Sequence, residues 1–274
     1  MTQAMSRPQV TFTDDQSLWY RIRWNISDVL TMTRRNLTYY IRQPELIVFS
    51  TIQPVMFVLL FAYVFGGAIA TPNGNYIDFL LPGIIVQTVV FGATNTTIGL
   101  SDDLSKGMVD RFRSLPMARA AVLAGRTLAD TIRNLWVILL MLLVGTLIGF
   151  RIHDGLLNAT LAVVIAMLFG YAFTWISAFI ALFVKSPEAV QTAGFIWVFP
   201  LVFASSVFVP PSTMPEWLQV FAENQPITRV ANATRGLFLG GAQTADILWA
   251  LFWVAVIVAI FVPLSIRQYR QIAR

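Results

Sequence analysis

Six stretches of the chain stay apolar for about the 20 residues that a helix needs to cross hydrocarbon, at roughly 1.5 Å per residue. They are Leu46–Gly66, Phe79–Ser101, Asn134–Phe150, Gly155–Val184, Ala189–Val209 and Ile247–Ile266. The third is short and can extend back toward Arg133. The fourth must tilt or protrude, and the fifth is interrupted by Pro200. The pattern predicts an all-α membrane protein: residues 1–45 precede six transmembrane helices over 46–266, and residues 267–274 form a tail.

Three segments between or before these stretches have a different pattern. In Leu18–Ile41, Leu18, Trp19, Ile22, Ile26, Val29, Leu30, Leu37, Tyr40 and Ile41 share one arc at about 100° per residue, with Arg21, Asp28, Arg34, Arg35 and Arg42 largely opposite. Such a helix lies in the membrane interface, as a surface anchor or as a docking element for a cytoplasmic partner.

Between the second and third stretches, Leu104, Met108, Phe112 and Leu115 recur at helical spacing among Asp102, Lys106, Asp110, Arg111 and Arg113, punctuated by Gly107 and Pro116. A long mixed-charge helix with an apolar stripe suggests contact with another protein; a solvated loop is the alternative. Residues 210–245 hold runs too short to span and too apolar for loops, which predicts re-entrant or interfacial helices. They would cap the outer end of a pathway, with Asn224, Gln225, Pro226 and Arg235 as candidate gate residues. Decoration of the bilayer surface is the other reading.

Composition agrees with the pattern. Of 274 residues, 57% are hydrophobic and only 12% charged, against about a quarter charged in soluble domains. Charge sets the orientation. The N-terminal segment, the second-to-third connection, the fourth-to-fifth turn and the tail carry 16 Arg and Lys, while Arg151, Arg229 and Arg235 are the 3 on the other side. The positive-inside rule then places both termini in the cytoplasm. No signal peptide is expected before Glu45, and basic residues beside spans reflect topology rather than nucleic-acid binding. Lysine occurs only at Lys106 and Lys185, an arginine bias that hints at a GC-rich bacterial genome and nothing more.

Chemistry narrows the classes further. The chain has no cysteine, its one histidine is His153, and no phosphate-cradling Gly-x-x-x-x-Gly-Lys-Ser/Thr is present. No nucleophile–base pair or metal cluster stands out, so the chain is not expected to be an enzyme. The stretches hold almost no ionisable residues, which argues against an ion-coupled transporter. Their polarity is neutral: Gln53, Gln87, Thr88, Asn95, Thr96, Thr97, Ser177, Gln191, Ser205 and Ser206. These either join helices by hydrogen bonds or line a pathway, for which Gln87, Thr88, Asn95, Thr96, Thr97, Ser205 and Ser206 are the candidates. Gly145 and Gly149 form a small-xxx-small pair, suited to a dimer or to packing in one bundle.

The order of several motifs resembles the type-2 ATP-binding-cassette exporter permeases of the daunorubicin-resistance branch. They are Leu80-Leu81-Pro82-Gly83, then Gly107 to Pro116, then Asn224-Gln225-Pro226-Ile227-Thr228 followed by Arg235-Gly236-Leu237. The family more often reads Asn-Pro where Gln225 intervenes. The resemblance implies that Leu18–Ile41 is a connecting helix, that Asp102–Pro116 is the coupling region on a nucleotide-binding subunit, and that Met214–Gly240 holds the outer re-entrant helices. It implies two permease chains, identical or close paralogues, with two separate ATPase subunits that bind the ATP and Mg. This chain itself would bind no cofactor. The expected function is a permease subunit exporting a hydrophobic small molecule, drug or lipid. Glycan export and a non-transporting membrane scaffold are the alternatives.

Overall fold

The computed structural model describes residues 18–67, 69, 75–105, 119–184 and 187–272, and every element among them is a helix or a turn. In chain order these are α1 (Leu18–Arg42), α2 (Pro44–Leu60, ending in a π-helical turn, Phe61–Phe65), α3 (Tyr76–Ser105), α4 (Arg119–Leu147) and α5 (Gly155–Ala181). Then come α6 (Pro187–Phe203), α7 (Glu216–Asn224), α8 (Pro226–Leu239) and α9 (Thr244–Ile272).

Among the described residues, five helices are long and apolar enough to cross a membrane: α2 with its π turn, α3, α4, α5 and α9. The fifth expected span is not one continuous helix. α6 has 17 residues and contains Pro200, so it extends about 25 Å at 1.5 Å per residue. It stops at Phe203, and the chain turns through Ala204–Pro210. α7 and α8, with 9 and 14 residues, are too short to cross.

The third span also starts elsewhere than expected. α4 begins at Arg119, well before Asn134, and carries Arg126 and Arg133 inside the helix rather than in a loop. A helix can run through such charges when each finds a partner, and here most do.

α3 is the hub of the bundle, touching α2, α4, α5, α6 and α8. Of its apolar window 89% is buried, against 6% for α2 and 11% for α9. Leu80, Leu81, Ile84, Ile85, Val89 and Val90 of α3 share one core with Ala162, Ala166, Phe169 and Phe173 of α5. α2 and α9 form the perimeter and expose Phe49, Ile52, Met56, Leu248, Phe252 and Ile260. Helices apolar all round are stable with lipid, not water, on their outer faces.

α1 divides its apolar side. Met32, Thr33, Asn36 and Tyr40 are buried, while Ile26, Leu30 and Ile41 on the adjoining arc are exposed. The buried strip lies on α4, where Gly125 permits a close approach: a Cβ there would sit 2.5 Å from Met32 Cβ and 3.0 Å from the Thr33 nitrogen. The exposed strip is what remains for a membrane surface.

Two sequence motifs acquire structural causes. Gly83 faces the turn after α6, and a Cβ on it would lie 2.5 Å from the Val207 carbonyl oxygen. Gly145 packs against Leu81 of α3, and Gly149 sits in a turn at φ 113°. Gly145 therefore serves this chain's own bundle, and Gly149 serves the turn.

Gly83→Val should be costly, because backbone rather than a flexible side chain blocks the new atoms. Overpacking of this kind costs about 1–3 kcal/mol. Thermal unfolding in detergent should show a lower midpoint for Gly83→Val and no change for Gly67→Ala, which has open space around it.

Candidate functional site

Long polar side chains need room in a tightly packed bundle, and α3 supplies it with glycines. Gly92 leaves space for the Asn134 amide and Gly99 for the Arg126 guanidinium, both from α4. On one side of this α3–α4 contact lies a groove; at the end nearest α1 lies a charge network.

The groove has a volume of about 240 Å³ and runs between α2, α3, α4 and the first turns of α6. Its rings are Phe49, Phe57, Phe91 and Phe195, and its polar lining includes Gln53, Gln87, Thr88, Asn95, Arg133 and Asn134. Arg133 donates from Nη2 to the Gly92 carbonyl at 3.0 Å and to Asn134 Oδ1 at 3.2 Å. Its guanidinium also lies 5.3 Å from the centre of the Tyr40 ring. Three buried polar atoms of this lining have no protein partner: Gln87 Oε1, Asn134 Nδ2 and Arg133 Nε. Native interiors leave few such atoms.

The charge network centres on Asp130, which has no exposed surface. Tyr40 of α1 donates its hydroxyl to Asp130 Oδ1, and Thr96 of α3 donates its own to Oδ2. Arg126, one helical turn earlier on α4, stands 3.6 Å from Oδ2 and 3.9 Å from Asp103 on α3. Asp103 in turn meets Arg35 of α1 at 3.5 Å. Burial, and then the Asp130 charge, push the Tyr40 phenol well above its ordinary range, so it stays a hydroxyl donor. A wider pocket of about 670 Å³ adjoins the network, lined by Arg34, Arg35, Arg42, Asp102, Asp103 and Arg126.

The opposite end of the bundle has a different problem. Where α6 stops, its last carbonyls and those of the following turn lack helical partners. Gln225 donates to the carbonyls of Leu201, at 2.9 Å, and of Ala204. Arg235 of α8 donates to the carbonyl of Ser206 at 2.9 Å, of Phe79 at 3.0 Å, and to Asn232 Oδ1 at 2.9 Å. It also stacks 3.8 Å from the Phe79 ring centre. Burial lowers the Arg235 guanidinium to about 9, still above neutral pH, so it remains charged. Ser206 donates its hydroxyl to Asn232 Oδ1 at 3.1 Å, and its backbone N–H bonds Thr228 at 3.0 Å.

The expected pathway residues thus separate. Gln87, Thr88 and Asn95 line the groove. Thr96 serves Asp130, and Thr97 donates to the Ser177 carbonyl of α5 at 3.2 Å. Ser205 and Ser206 lie in the turn after α6, and Ser205 donates back to the Val202 carbonyl. Among the expected gate residues, Gln225 and Arg235 hold that turn, and Pro226 opens α8. Asn224 is exposed at the end of α7 and donates to the Val220 carbonyl at 2.9 Å.

Of the coupling region, Asp102 to Ser105 continue α3, with Asp102 and Asp103 facing the α1-side pocket. Lys106, Gly107, Met108, Asp110, Arg111, Phe112, Arg113, Leu115 and Pro116 lie outside the described residues. His153 is exposed and engages only its backbone N–H, which bonds Phe238.

Sequence reading missed Tyr40, Asp130, Arg133 and Asn134 as site residues and held the membrane stretches to be nearly free of charge. The signal for Asp130 was present: Arg126 and Asp130 stand four apart within Ala121-Val122-Leu123-Ala124 and Leu128-Ala129, a self-paired set in an otherwise apolar helix.

Asp130→Asn should destabilise the chain by about 3 kcal/mol, because it removes the nearer carboxylate from the buried Arg126 and leaves only Asp103 at 3.9 Å. Tyr40→Phe should cost about 1 kcal/mol, the net value of one hydrogen bond, or up to about 3 kcal/mol because its acceptor is charged. Thermal unfolding of the two variants in detergent should rank them in that order.

Comparisons with known proteins point one way. Residues 27–239 match the family model described as ABC-2 type transporter. A daunorubicin resistance ABC transporter permease protein from Streptomyces coeruleorubidus is 36% identical over 246 residues, covering 90% of this chain and 87% of the relative. A probable doxorubicin resistance ABC transporter permease protein from Mycobacterium tuberculosis is 28% identical over 248 residues, covering 90% and 89%. A putative transport permease from Cyanophora paradoxa is 24% identical over 217 residues, covering 78% and 74%.

Proposed function

The chain belongs to the ABC-2 type transporter family, and we propose that its cargo passes along the polar face of α3 through the groove that contains Gln87, Asn95 and Arg133. It is the membrane permease subunit of an ABC exporter, a transport subunit worked by a partner ATPase. The ATP and Mg belong to that partner. The observation that carries the route is the groove itself, where buried polar atoms without partners lie among phenylalanine rings in the part of the bundle built around α3.

The cargo is a hydrophobic small molecule or lipid. The resistance named for the relatives supports this, and so does a lining of four phenyl rings, which suits an apolar body.

In the membrane, α6 with its following turn acts as the fifth of six spans. α7 and α8 form a re-entrant pair at the outer face, and both termini lie in the cytoplasm of a bacterial inner membrane. Arg126 and Arg133 no longer count as loop charges, yet the remaining bias keeps the same sign. The α1 end is then cytoplasmic, and the carbonyl lock of Gln225 and Arg235 closes the outer end. Two permease chains and two ATPase subunits make the working complex. Each ATPase sits on residues 102–116 and on α1, with Phe112 as its main apolar anchor.

Replacing an apolar anchor at such an interface costs about 2 kcal/mol or more, whereas a rim charge matters far less. Phe112→Ala should therefore cut ATPase co-purification or uncouple hydrolysis from efflux, while insertion stays normal. Lys106→Ala should do little. Full complex formation and full efflux by Phe112→Ala would contradict this coupling.

A further inference from the structure

We infer that the groove takes the acidic end of its ligand: a carboxylate or phosphate on an amphiphile, seated between Arg133 and Asn134. The inference deepens the route proposed above and rests on it only for calling the ligand cargo. Arg133 and Asn134 are 7% and 3% exposed, so their charge and dipole act in a poorly hydrated place.

The carboxylates nearby are committed elsewhere. Asp130 holds Tyr40, Thr96 and Arg126, and Asp103 holds Arg126 and Arg35. Among the described residues no carboxylate lies within 4 Å of Arg133, whose partners are neutral: a carbonyl, an amide oxygen and the Tyr40 ring. A buried cation in a membrane protein calls for an anion or a strong acceptor.

Donor geometry points the same way. The Arg133 bond to Asn134 Oδ1 fixes that amide, which leaves Asn134 Nδ2 and Arg133 Nε as buried donors without a partner among the described residues. Two donors, one of them charged, fit an anion, while Gln87 Oε1 is an acceptor and suits a hydroxyl or amide elsewhere on the ligand. No acidic side chain lines the groove to receive a cation. At about 240 Å³ the groove is smaller than the 300 Å³ or more typical of a site that encloses a drug-sized molecule. It therefore takes a headgroup and the first part of an apolar body against Phe57, Phe91 and Phe195. The rest leaves past Phe49 and Gln53, both exposed. The occupant is an acidic cargo amphiphile rather than a bilayer phospholipid, whose two chains the narrow groove would have to admit together.

The test uses the permease with its ATPase partner in phosphatidylcholine nanodiscs. The probes are dansyl-aminoundecanoic acid and a dansyl-undecyl-trimethylammonium of matched length. The acid should bind about tenfold or more tightly than the cation, as expected when opposite charges meet and like charges repel at close range. Arg133→Gln should abolish the preference, and Arg133→Lys should keep part of it. Asn134→Asp should abolish it too, because it supplies Arg133 with the carboxylate it lacks. Phosphatidylglycerol in the disc should not displace the acid.

Equal binding of both probes by the native chain, or a preference that survives Arg133→Gln and Asn134→Asp, would overturn the site. Displacement by phosphatidylglycerol would overturn the cargo assignment in favour of a lipid site. If Arg133-dependent preference held without ATP-driven movement of the acid in proteoliposomes, the site would stand and the route would fail. If both probes moved at equal rates, the route would stand and the site would fail.

Discussion

A carboxylate with no exposed surface must be held by donors, and Asp130 is held from three helices. Tyr40 reaches it from α1, Thr96 from α3 and Arg126 from its own helix, α4. Much of the α1 end follows from that requirement. α1 must lie close enough to α4 to bring Tyr40 in, which Gly125 permits. α3 must present a threonine on that side and leave space at Gly99 for the Arg126 side chain. Arg126 then reaches Asp103, and Asp103 reaches back to Arg35 on α1. The amphipathic helix α1 is thereby fixed to the core. Displacement of α1 by a partner would reach α3 and the groove through the same bonds.

The other end of the bundle obeys a backbone constraint instead. Polar backbone at membrane depth cannot be left to lipid, and α6 ends early. Gln225, Ser205 and Arg235 take the carbonyls that a longer helix would have used itself. Two short helices follow the turn: α7 and α8 bring Gln225 and Arg235 to it, and Gly83 lets the Val207 backbone settle on α3. α3 is thus pinned by charge at one end and by backbone bonding at the other. Between the two lies the groove, beside the perimeter helix α2, which has little of its surface buried.

Much of this was legible in the sequence, because bilayer thickness imposes long apolar runs and helical period marks an amphipathic α1. Helix identity was therefore clear, and so was the polar content of α3 at Gln87, Thr88 and Asn95. What escaped depended on pairing across helices. Arg126 and Arg133 read as loop charges, since a lone arginine in lipid is costly and nothing in one strand of text shows Asp130, Tyr40 and Gly92 meeting them. The bonds of Ser205, Ser206, Gln225 and Arg235 across the turn after α6 were not visible either, because polar residues in an apolar run look alike whether they touch cargo or a neighbour's carbonyl. α1 was half legible: its apolar arc is real, but only the strip from Met32 to Tyr40 is buried by packing on α4.

The central claim is that cargo moves through the groove between α2, α3 and α4. Because the chain has no cysteine, a single thiol can be placed at Gln53, which is exposed at the groove mouth, and modified with a bulky maleimide. The direct measurement is ATP-driven efflux by the reconstituted complex before and after stoichiometric labelling, with a cysteine at the exposed Leu143 of α4 as the reference. Labelling at Gln53 should block efflux while the ATPase stays bound, and labelling at Leu143 should leave efflux unchanged. Full efflux with the groove mouth quantitatively labelled would contradict the account.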